Sequence, residues 1–335
     1  MRIIAVEEAF VTQSLVEAWD EILSGSEAEP GFRLMGNSIL AKTPINQALH
    51  GRLADIGPNR ISQMKSDGID MAVLSITSPG VQVLRDADRA CHLAAVANDE
   101  LAAAVRAHPE HFAGLAAVAP QDPEQAAREI ERARHRLGLC GVLINSHTHG
   151  HYLDEPQFQP ILEAAQTEAM PIYLHPREPG PAMLEAYRDH GLYFATWGFS
   201  MESSLHAMRL IMSGTFDRFP RLRIVLGHMG EGLPFWLHRI DNRYALQVRI
   251  GGIKPLQRMP SEYFLENFVI TTAGFTSAPE LRLSLDVLGP NRVMFAADYP
   301  YEDAKAGVDF LHSVDLDEAT RARIAHLNAE TVFGL

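Results

Sequence analysis

Apolar runs of strand length recur along the chain, and helix-like segments lie between them. Most of these runs are continuously apolar and do not alternate with polar residues, as is typical of parallel strands covered on both faces. The runs begin at or near Ile3, Met71, Phe112, Cys140, Pro171, Arg223, Asn267 and Arg292. The pattern predicts about eight strands connected by helices, that is, repeated βαβ units.

The segments between the runs carry helix signals. In the segment 122–138, Asp122 is suited to cap the helix, Pro123 fits the first turn and Gly138 fits the end. About eight strand–helix units predict an α/β fold in which residues 1–335 form one (β/α)8 TIM barrel domain. An open doubly wound sheet is the alternative, but no glycine-rich phosphate turn follows the first strand.

One region departs from this repeat. Residues from about 12 to 55 carry little clean periodicity and include the turn-rich stretch "LSGSEAEPGFRLMGNS". We expect an insertion after the first strand that lies over the mouth of the barrel. A surface elaboration without a functional role is an equally good interpretation of the pattern.

The charge balance narrows the range of partners. The chain has 29 basic and 42 acidic residues and a net charge of -13. A surface of this sign disfavours nucleic acid and anionic membranes. A small anionic substrate remains compatible with it, because a local cation or metal can outweigh the overall field.

The cysteines and the apolar segments bear on the compartment. Cys91 and Cys140 both lie in apolar surroundings, so we expect buried free thiols, no disulfide framework and a cytoplasmic location. We find no N-terminal apolar run of signal-peptide length and no segment that approaches a membrane span.

Polar residues stand where several of the apolar runs end. In a (β/α)8 barrel the chemistry lies at the C-terminal ends of the strands, so side chains from different runs should converge there. Carboxylate and imidazole together suit Zn²⁺ or Mn²⁺, and a catalytic site leaves positions open for substrate or water. Each residue alone could be a scaffold or capping residue, but together they predict a divalent metal site. The residues are Glu7, with Glu8 beside it, His175, His228 and Asp298.

The tract "HTHGH" also resembles a metal-binding sequence, but its geometry argues against that role. His147, His149 and His151 alternate along the chain and should point in different directions. Whether His147 reaches the site is open, and we expect His149 and His151 to be solvated.

Several motifs resemble those of one known family. They are "VEEAF", "TSPGVQ", "GVLINSHTHGHYLDEPQFQPI", "YLHP", "GHMGEGLPFWLHRID" and "RVMFAADYPYED". Together they resemble the metal-dependent non-oxidative arene decarboxylases of the amidohydrolase superfamily, most of all the decarboxylases of 5-carboxyvanillate. The group also includes the decarboxylases of γ-resorcylate and 2,3-dihydroxybenzoate. The resemblance covers nearly the whole chain and is weakest in the insertion.

The resemblance implies a distorted barrel with one divalent metal, Mn²⁺ or Zn²⁺, and assembly into homodimers or homotetramers. The implied ligands are Glu7, His175 and Asp298. His228 and Glu231 are similar to the pair that orients Asp298 or a bound water. The resemblance implies that Arg239 contacts a substrate carboxylate. Phe10, Trp197 and Phe199 are candidate ring-stacking walls, with ordinary barrel packing as the alternative for each, and Asn145, at the end of the fourth run, is a candidate substrate contact.

Two departures from the wider superfamily point to a mononuclear site. Many amidohydrolases begin with His-x-His, whereas this chain has Glu7 and Ala9 at those positions, and alanine cannot coordinate a metal. Asn145 ends the fourth run where many hydrolases have a lysine that bridges two metals.

The resemblance implies removal of CO2 from an ortho-hydroxylated aromatic acid. The metal would chelate the phenolic oxygen and one carboxylate oxygen, and Asp298 would protonate the ring carbon, with His228 as a route for the proton. A second ring carboxylate would need a further cation, for which Arg33, Arg52 and Arg60 are candidates.

Two other activities stay open. The first is a metal-dependent hydrolase or hydratase, such as a lactonase, on the same barrel, with Asp298 as the base. The second is a non-catalytic binding barrel, which is disfavoured because all three implied ligands are present.

Overall fold

The computed structural model describes residues 1–335, and its centre is a parallel barrel of eight strands. Neighbouring strands follow one another in chain order, and each pair is parallel. The sequential order confirms the (β/α)8 prediction and rules out the doubly wound sheet. The strands are β1 (Ile4–Phe10), β2 (Met71–Ile76), β3 (Phe112–Ala117), β4 (Gly141–Asn145), β5 (Ile172–His175), β6 (Ile224–Leu226), β7 (Phe268–Thr271) and β8 (Val293–Met294).

Helices connect the strands and surround the barrel. The helices are α1 (Gln13–Ser24), α2 (Pro30–Ile39), α3 (Pro44–Ala54), α4 (Pro58–Asp67), α5 (Ala87–Ala107), α6 (Pro123–Arg132), α7 (Gln159–Thr167), α8 (Leu184–Tyr187), α9 (Gly198–Met212), α10 (Thr215–Arg218), α11 (His228–Glu231), α12 (Leu233–Arg249), α13 (Pro260–Asn267), α14 (Ala278–Leu288), α15 (Ala304–Ser313), α16 (Glu318–Ala322) and α17 (Asn328–Phe333). Their apolar faces and the strands share one continuous hydrophobic core.

Helix α6 begins as the sequence predicts. The Asp122 side chain accepts a hydrogen bond from the backbone N–H of Gln125, and Pro123 occupies the first turn. A π-helical turn then extends the helix to Leu137, and Gly138 ends it with φ 72°. A left-handed φ of this size favours glycine, which explains why the helix stops there.

Strand β1 is longer than its apolar run. Ala5 pairs with Ala72 and Glu8 pairs with Leu74, so β1 contains one extra residue between these pairs. The bulge lets the strand continue past its apolar run while both carboxylates stay buried.

Two hydrogen bonds link β1 to the end of the chain's last strand and so close the barrel. The backbone N–H of Val6 donates to the carbonyl of Phe295 at 3.2 Å, and that of Ala9 donates to the carbonyl of Tyr299 at 2.8 Å. The segment after β8 is therefore held against β1, beside the two glutamates.

The predicted insertion is present, but it is helical. It consists of α1, α2 and α3, and Thr12 and Thr43 cap α1 and α3 by accepting backbone hydrogen bonds. The Trp19 indole N–H donates to the carbonyl of Gly80 at 3.0 Å, which ties α1 to the loop after β2. The periodicity was missed in part because α3 is mostly exposed and has little apolar face to detect.

The two cysteines are free, as expected. Cys140 is buried, whereas Cys91 is only half-buried, so the expectation of two buried thiols was partly wrong. None of the helices combines the length and the apolar character that crossing a bilayer requires.

Candidate active site

Three side chains from distant parts of the chain meet at the C-terminal end of the barrel. Glu7 comes from β1, His175 ends β5, and Asp298 lies just after β8. One potential ligand atom of each lies within 4.8 Å of the others. The Nε2 atom of His175 is 3.5 Å from the Oε1 atom of Glu7. The arrangement has the residue types and the compactness of a mononuclear divalent metal site.

The two carboxylate oxygens of Glu7 have different surroundings. Oε2 accepts hydrogen bonds from the Tyr173 hydroxyl and from Thr271 Oγ1, the latter at 3.1 Å. Oε1 is buried and has no hydrogen-bond donor. A buried carboxylate oxygen without a donor is unfavourable, and a cation bound by the three side chains would satisfy it. The residues present therefore fit a divalent metal.

Gly227 allows the carboxylate of Glu7 to sit where it does. A β-carbon at position 227 would lie 2.9 Å from Oε2 and 3.0 Å from Oε1 of Glu7. Any larger residue would displace the carboxylate, so the glycine after β6 is part of the site through the space that it leaves.

His175 is held in the form that binds metals. Its Nδ1 atom donates to the carbonyl of Pro176 at 2.8 Å, which leaves the lone pair on Nε2. Burial lowers the pKa of His175, despite the opposing charge of Glu7. The imidazole is therefore neutral near pH 7, and its free nitrogen faces Glu7.

His228 lies between the metal-binding residues and Glu231. Its Nδ1 atom is 2.8 Å from Glu231 Oε1, and its Nε2 atom is 3.7 Å from Asp298 Oδ2. Burial by itself would lower the pKa of His228, but the carboxylates of Glu231 and Glu7 outweigh it and raise the pKa well above 6.5. A divalent cation held by Glu7 would oppose this effect. A protonated His228 therefore lies close to the carboxyl group of Asp298.

The backbone around these residues is strained. Only eight residues other than glycine have positive φ, and they include His228, Glu231 and Asp298, at 48°, 53° and 59°. Left-handed backbone is unfavourable for such residues and concentrates at functional sites. The local conformation aims the three side chains at one point at the expense of stability.

Two cavities open beside this cluster. The first, which we call the metal cavity, has a volume of about 210 Å³ and contains His175, His228 and Asp298. Its lining includes apolar residues from the insertion and from the region around the start of α9, and residues with hydroxyl or carboxyl groups. The apolar residues are Met35, Ile39, Phe194 and Phe199, and the polar residues are Thr77, Ser78, Tyr301 and Glu302.

The second, which we call the aromatic cavity, has a volume of about 520 Å³ and shares His228 and Asp298 with the first. Trp197, Phe235 and Trp236 contribute to its wall and are largely exposed. Neither cavity is lined by a lysine or an arginine.

Only some of the predicted substrate residues line the two cavities. Phe199 lines both cavities, and Trp197 lines the aromatic cavity. Phe10 lies in the hydrophobic core and lines neither cavity. Asn145 is buried, and its backbone N–H and carbonyl both form hydrogen bonds with the side-chain amide of Gln82. Asn145 also lines neither cavity. Arg239 is exposed on α12, away from both cavities of the same chain.

The "HTHGH" histidines are held by the protein and do not reach the metal-binding cluster. The Nε2 atom of His147 bonds the carbonyl of Glu178, and its Nδ1 atom accepts from the N–H of Gly150, both at 3.1 Å. The prediction that His149 is solvated was wrong. The side chain is half-buried, and its Nδ1 atom lies 2.6 Å from Glu29 Oε1. His151 is exposed, as expected.

The candidate arginines have structural partners. Arg60 is buried, donates to the carbonyl of Ala9 at 3.0 Å and stacks on Tyr299. Arg33 donates to two carbonyl oxygens at the end of α1. Arg52 lies in the last turn of α3 and lines neither cavity. None of the three lies where a substrate carboxylate would bind within the chain.

Tyr173 was missed in the sequence although a signal was present. It stands two residues before His175 in the same strand, and such residues face the same side of a strand. That spacing places Tyr173 inside the barrel, next to the carboxylate of Glu7. Met35, Ile39 and Tyr301 were also missed, and no short spacing links them to the site.

The chain matches known proteins over most of its length. The sequence pattern of the amidohydrolase family matches residues 49–335. A γ-resorcylate decarboxylase from Polaromonas sp. is 40% identical over 294 residues, which are 86% of this chain and 90% of the relative.

Several solved structures are also similar to this chain. The 5-carboxyvanillate decarboxylase from Sphingomonas paucimobilis is 45% identical, with a TM-score of 0.96 over 100% of this chain and 99% of that chain. The enzyme from Novosphingobium aromaticivorans, complexed with manganese and 4-hydroxy-3-methoxy-5-nitrobenzoic acid, is 39% identical, with a TM-score of 0.97 over 100% and 96% of the two chains. The chain therefore belongs to the amidohydrolase family, in the group that contains the hydroxybenzoate decarboxylases.

Proposed function

We propose that the protein is a metal-dependent carboxy-lyase that removes CO2 from an ortho-hydroxylated aromatic acid without oxidation. The meeting of Glu7, His175 and Asp298 beside a cavity with an aromatic wall carries this proposal. The relatives that decarboxylate γ-resorcylate and 5-carboxyvanillate support it.

Glu7, His175 and Asp298 would hold one divalent cation, with the remaining positions open to substrate. A cation bound there would supply Lewis-acid stabilisation of the negative charge that develops on an ortho-hydroxylated aromatic acid. Glu, His and Asp accept both Mn²⁺ and Zn²⁺. The manganese of the Novosphingobium enzyme favours Mn²⁺.

Residues of the chain itself would deliver the proton. Asp298 donates a proton to the ring carbon that bears the carboxylate, and His228, 3.7 Å away, supplies it. The bond between this carbon and the carboxylate then breaks, its electron pair restores the aromatic ring, and CO2 leaves. Glu231 accepts a hydrogen bond from His228 Nδ1 and fixes the orientation of the imidazole.

The cavity walls would select the substrate. Phe199, Met35 and Ile39 offer apolar contact to an aromatic ring, and Tyr301 and Thr77 are within reach of ring hydroxyl groups. Because no lysine or arginine lines either cavity, the metal and His228 would balance the charge of the departing carboxylate.

The quaternary state and compartment belong to the same proposal. Arg239 can contact a substrate carboxylate only if it comes from a second copy of the chain, which would agree with the expected homodimer or homotetramer. The two free thiols suit a reducing cytoplasm. We further propose that residues 1–335 fold as one domain, because one hydrophobic core joins all the strands.

A hydrolase or hydratase is the weaker alternative. Glu7 and Ala9 replace the His-x-His pair, and Asn145 replaces the bridging lysine, so a second metal would lack ligands. The relatives described above are decarboxylases.

The test is release of CO2 from a panel of ortho-hydroxybenzoates, including 5-carboxyvanillate, γ-resorcylate and 2,3-dihydroxybenzoate, followed by chromatography of the products. We expect Asp298→Asn to retain bound metal through its amide oxygen and to lose at least about 1,000-fold in turnover, since the proton donor is gone. The matched control is Asp309→Asn, on an exposed helix face, which should keep full turnover. Near-normal turnover of Asp298→Asn with metal bound would remove Asp298 from the mechanism.

A further inference from the structure

A third cavity lies at the opposite end of the barrel from the metal-binding residues. It has a volume of about 550 Å³ and lies where β5, β6, β7 and β8 begin, because Pro171, Arg223, Val269 and Arg292 all line it. We call it the arginine cavity after the four arginines in its wall, which are Arg221, Arg223, Arg292 and Arg323.

The four arginines have no carboxylate partner. The salt bridges of the molecule involve other arginines. Glu266, just before β7, is the acidic residue that comes nearest to serving as a partner, but its carboxylate pairs with Arg258. Glu266 offers only its backbone carbonyl to Arg223 Nη1, at 3.1 Å. Four arginines therefore line one cavity without a salt bridge to any carboxylate, in a chain whose net charge is -13.

The electrostatic consequence is visible at the most buried of the four. Burial and the neighbouring guanidinium of Arg223 lower the pKa of Arg292, and Glu266 only partly opposes them. Like charges held close to one another are destabilising, and isolated surface arginines would avoid this by pointing apart into water. An anion between them would turn the repulsion into attraction.

The cavity has the shape of a binding site. Met170, Pro171, Val269 and Val332 contribute apolar lining, and the four arginines contribute the charged part. Ligand sites typically have volumes of about 300–1,000 Å³ and combine an apolar lining with a few convergent polar groups. Arg323 also begins a π-helical turn that runs to Leu327, and such turns are frequent at functional sites.

We propose that the arginine cavity binds a small polyvalent oxyanion, carrying either a phosphate group or two carboxylates. Guanidinium groups are planar and donate paired hydrogen bonds that match the oxygens of phosphate and carboxylate. The N-terminal face of a (β/α)8 barrel contributes to stability and does not carry catalysis. The bound anion would join the segments that precede β6 and β8 to the π-helical turn at Arg323 and so stabilise the fold, without taking part in the chemistry.

The test compares two double variants of equal charge. Arg223→Gln/Arg292→Gln removes two guanidinium groups from the cavity, and Arg106→Gln/Arg136→Gln removes two from exposed positions elsewhere. Inorganic phosphate, sulfate and succinate are titrated into each protein by calorimetry, with sodium chloride at matched ionic strength as the reference. Thermal unfolding is followed with the same additions. The succinate arm distinguishes a dicarboxylate ligand from a phosphate-like one.

We expect at least one of the three dianions to bind the wild-type protein and the control variant equally. The cavity variant should bind it at least tenfold more weakly and should lose its upward shift in melting temperature. Equal binding by the cavity variant would place the anion elsewhere, for example at the metal site, and would overturn the proposal. So would the absence of any binding to the wild-type protein beyond that seen with chloride. Should the first cavity variant fail to fold, Arg221→Gln/Arg323→Gln, at two exposed positions, provides the same comparison.

Discussion

At the scale of single residues, Glu7 has surroundings that a bound cation would complete. Tyr173 and Thr271 satisfy one oxygen, the other has no donor, and burial raises the pKa of Glu7 although His228 opposes this. A side chain in this state is costly to bury for structural reasons alone. The same residue that weakens the apoprotein fold is therefore the one that prepares the metal site.

The first prediction concerns the space beside this carboxylate. Gly227→Ala should lower affinity for Mn²⁺ by about 10- to 100-fold, because the new β-carbon would lie within 3.0 Å of both oxygens of Glu7. Metal content after dialysis at fixed free Mn²⁺ measures the effect. The control is Gly51→Ala on α3, where a β-carbon meets nothing within 4 Å. If both variants bound metal like the wild type, Gly227 would not be needed for the position of Glu7.

At the scale of elements, the insertion depends on a buried ionic contact with the barrel. Glu29 precedes α2, and its carboxylate lies 3.3 Å from Arg177 Nη2 and 2.6 Å from His149 Nδ1. Arg177 also pairs with Glu178 beside the end of β5. The contact holds α2 over the metal cavity, where Met35 and Ile39 form part of the wall.

The second prediction follows from the ionisation of Glu29. Burial alone would raise its pKa, but Arg177 and His149 lower it from 4.5 to about 2. Since the pKa is depressed in the folded state, the stabilisation is complete above pH 4.5 and is lost as the pH falls towards 2. Glu29→Gln should lower the free energy of unfolding by about 3 kcal/mol at pH 7.

The free energy of unfolding of Glu29→Gln should differ from that of the wild type by about 1 kcal/mol less at about pH 3.5 than at pH 7. Urea unfolding at several pH values would measure this change. Glu21→Gln is the matched control, because Glu21 pairs with Arg89 at the exposed surface of the same insertion. That variant should unfold like the wild type at every pH. A constant difference for Glu29→Gln across the acid range would contradict the proposed ionic contact.

At the scale of the whole molecule, the metal site joins parts of the chain that are far apart in sequence. Glu7 lies in the first strand, His175 in the fifth and Asp298 after the eighth. A cation bound to all three would connect β1, β5 and the segment after β8 across the barrel. Binding to the folded state alone stabilises it by mass action.

The third prediction is that metal removal affects activity and stability together. Treatment with a chelator should abolish CO2 release and lower the melting temperature by several degrees, and Mn²⁺ should restore both. Calorimetric scans and product assays on the same samples provide the measurement. Full activity in protein shown by elemental analysis to contain no transition metal would rule out the proposed chemistry.

The sequence by itself predicted the barrel and the polar residues that meet at its C-terminal end. Continuous apolar runs mark strands buried on both faces, and a polar residue at the end of such a run must lie at the rim of the barrel. This local rule selects Glu7, His175, His228 and Asp298 from the sequence alone.

Only the tertiary structure decided what surrounds those residues. Phe10 packs into the core, Arg60 bonds the carbonyl of Ala9 and stacks on Tyr299, and the insertion places Met35 at the cavity. Each of these placements depends on contacts between segments separated by tens of residues, which hydrophobic periodicity does not report. The pattern along the chain fixes which face of an element is buried, whereas the packing of distant elements fixes which atoms it meets there.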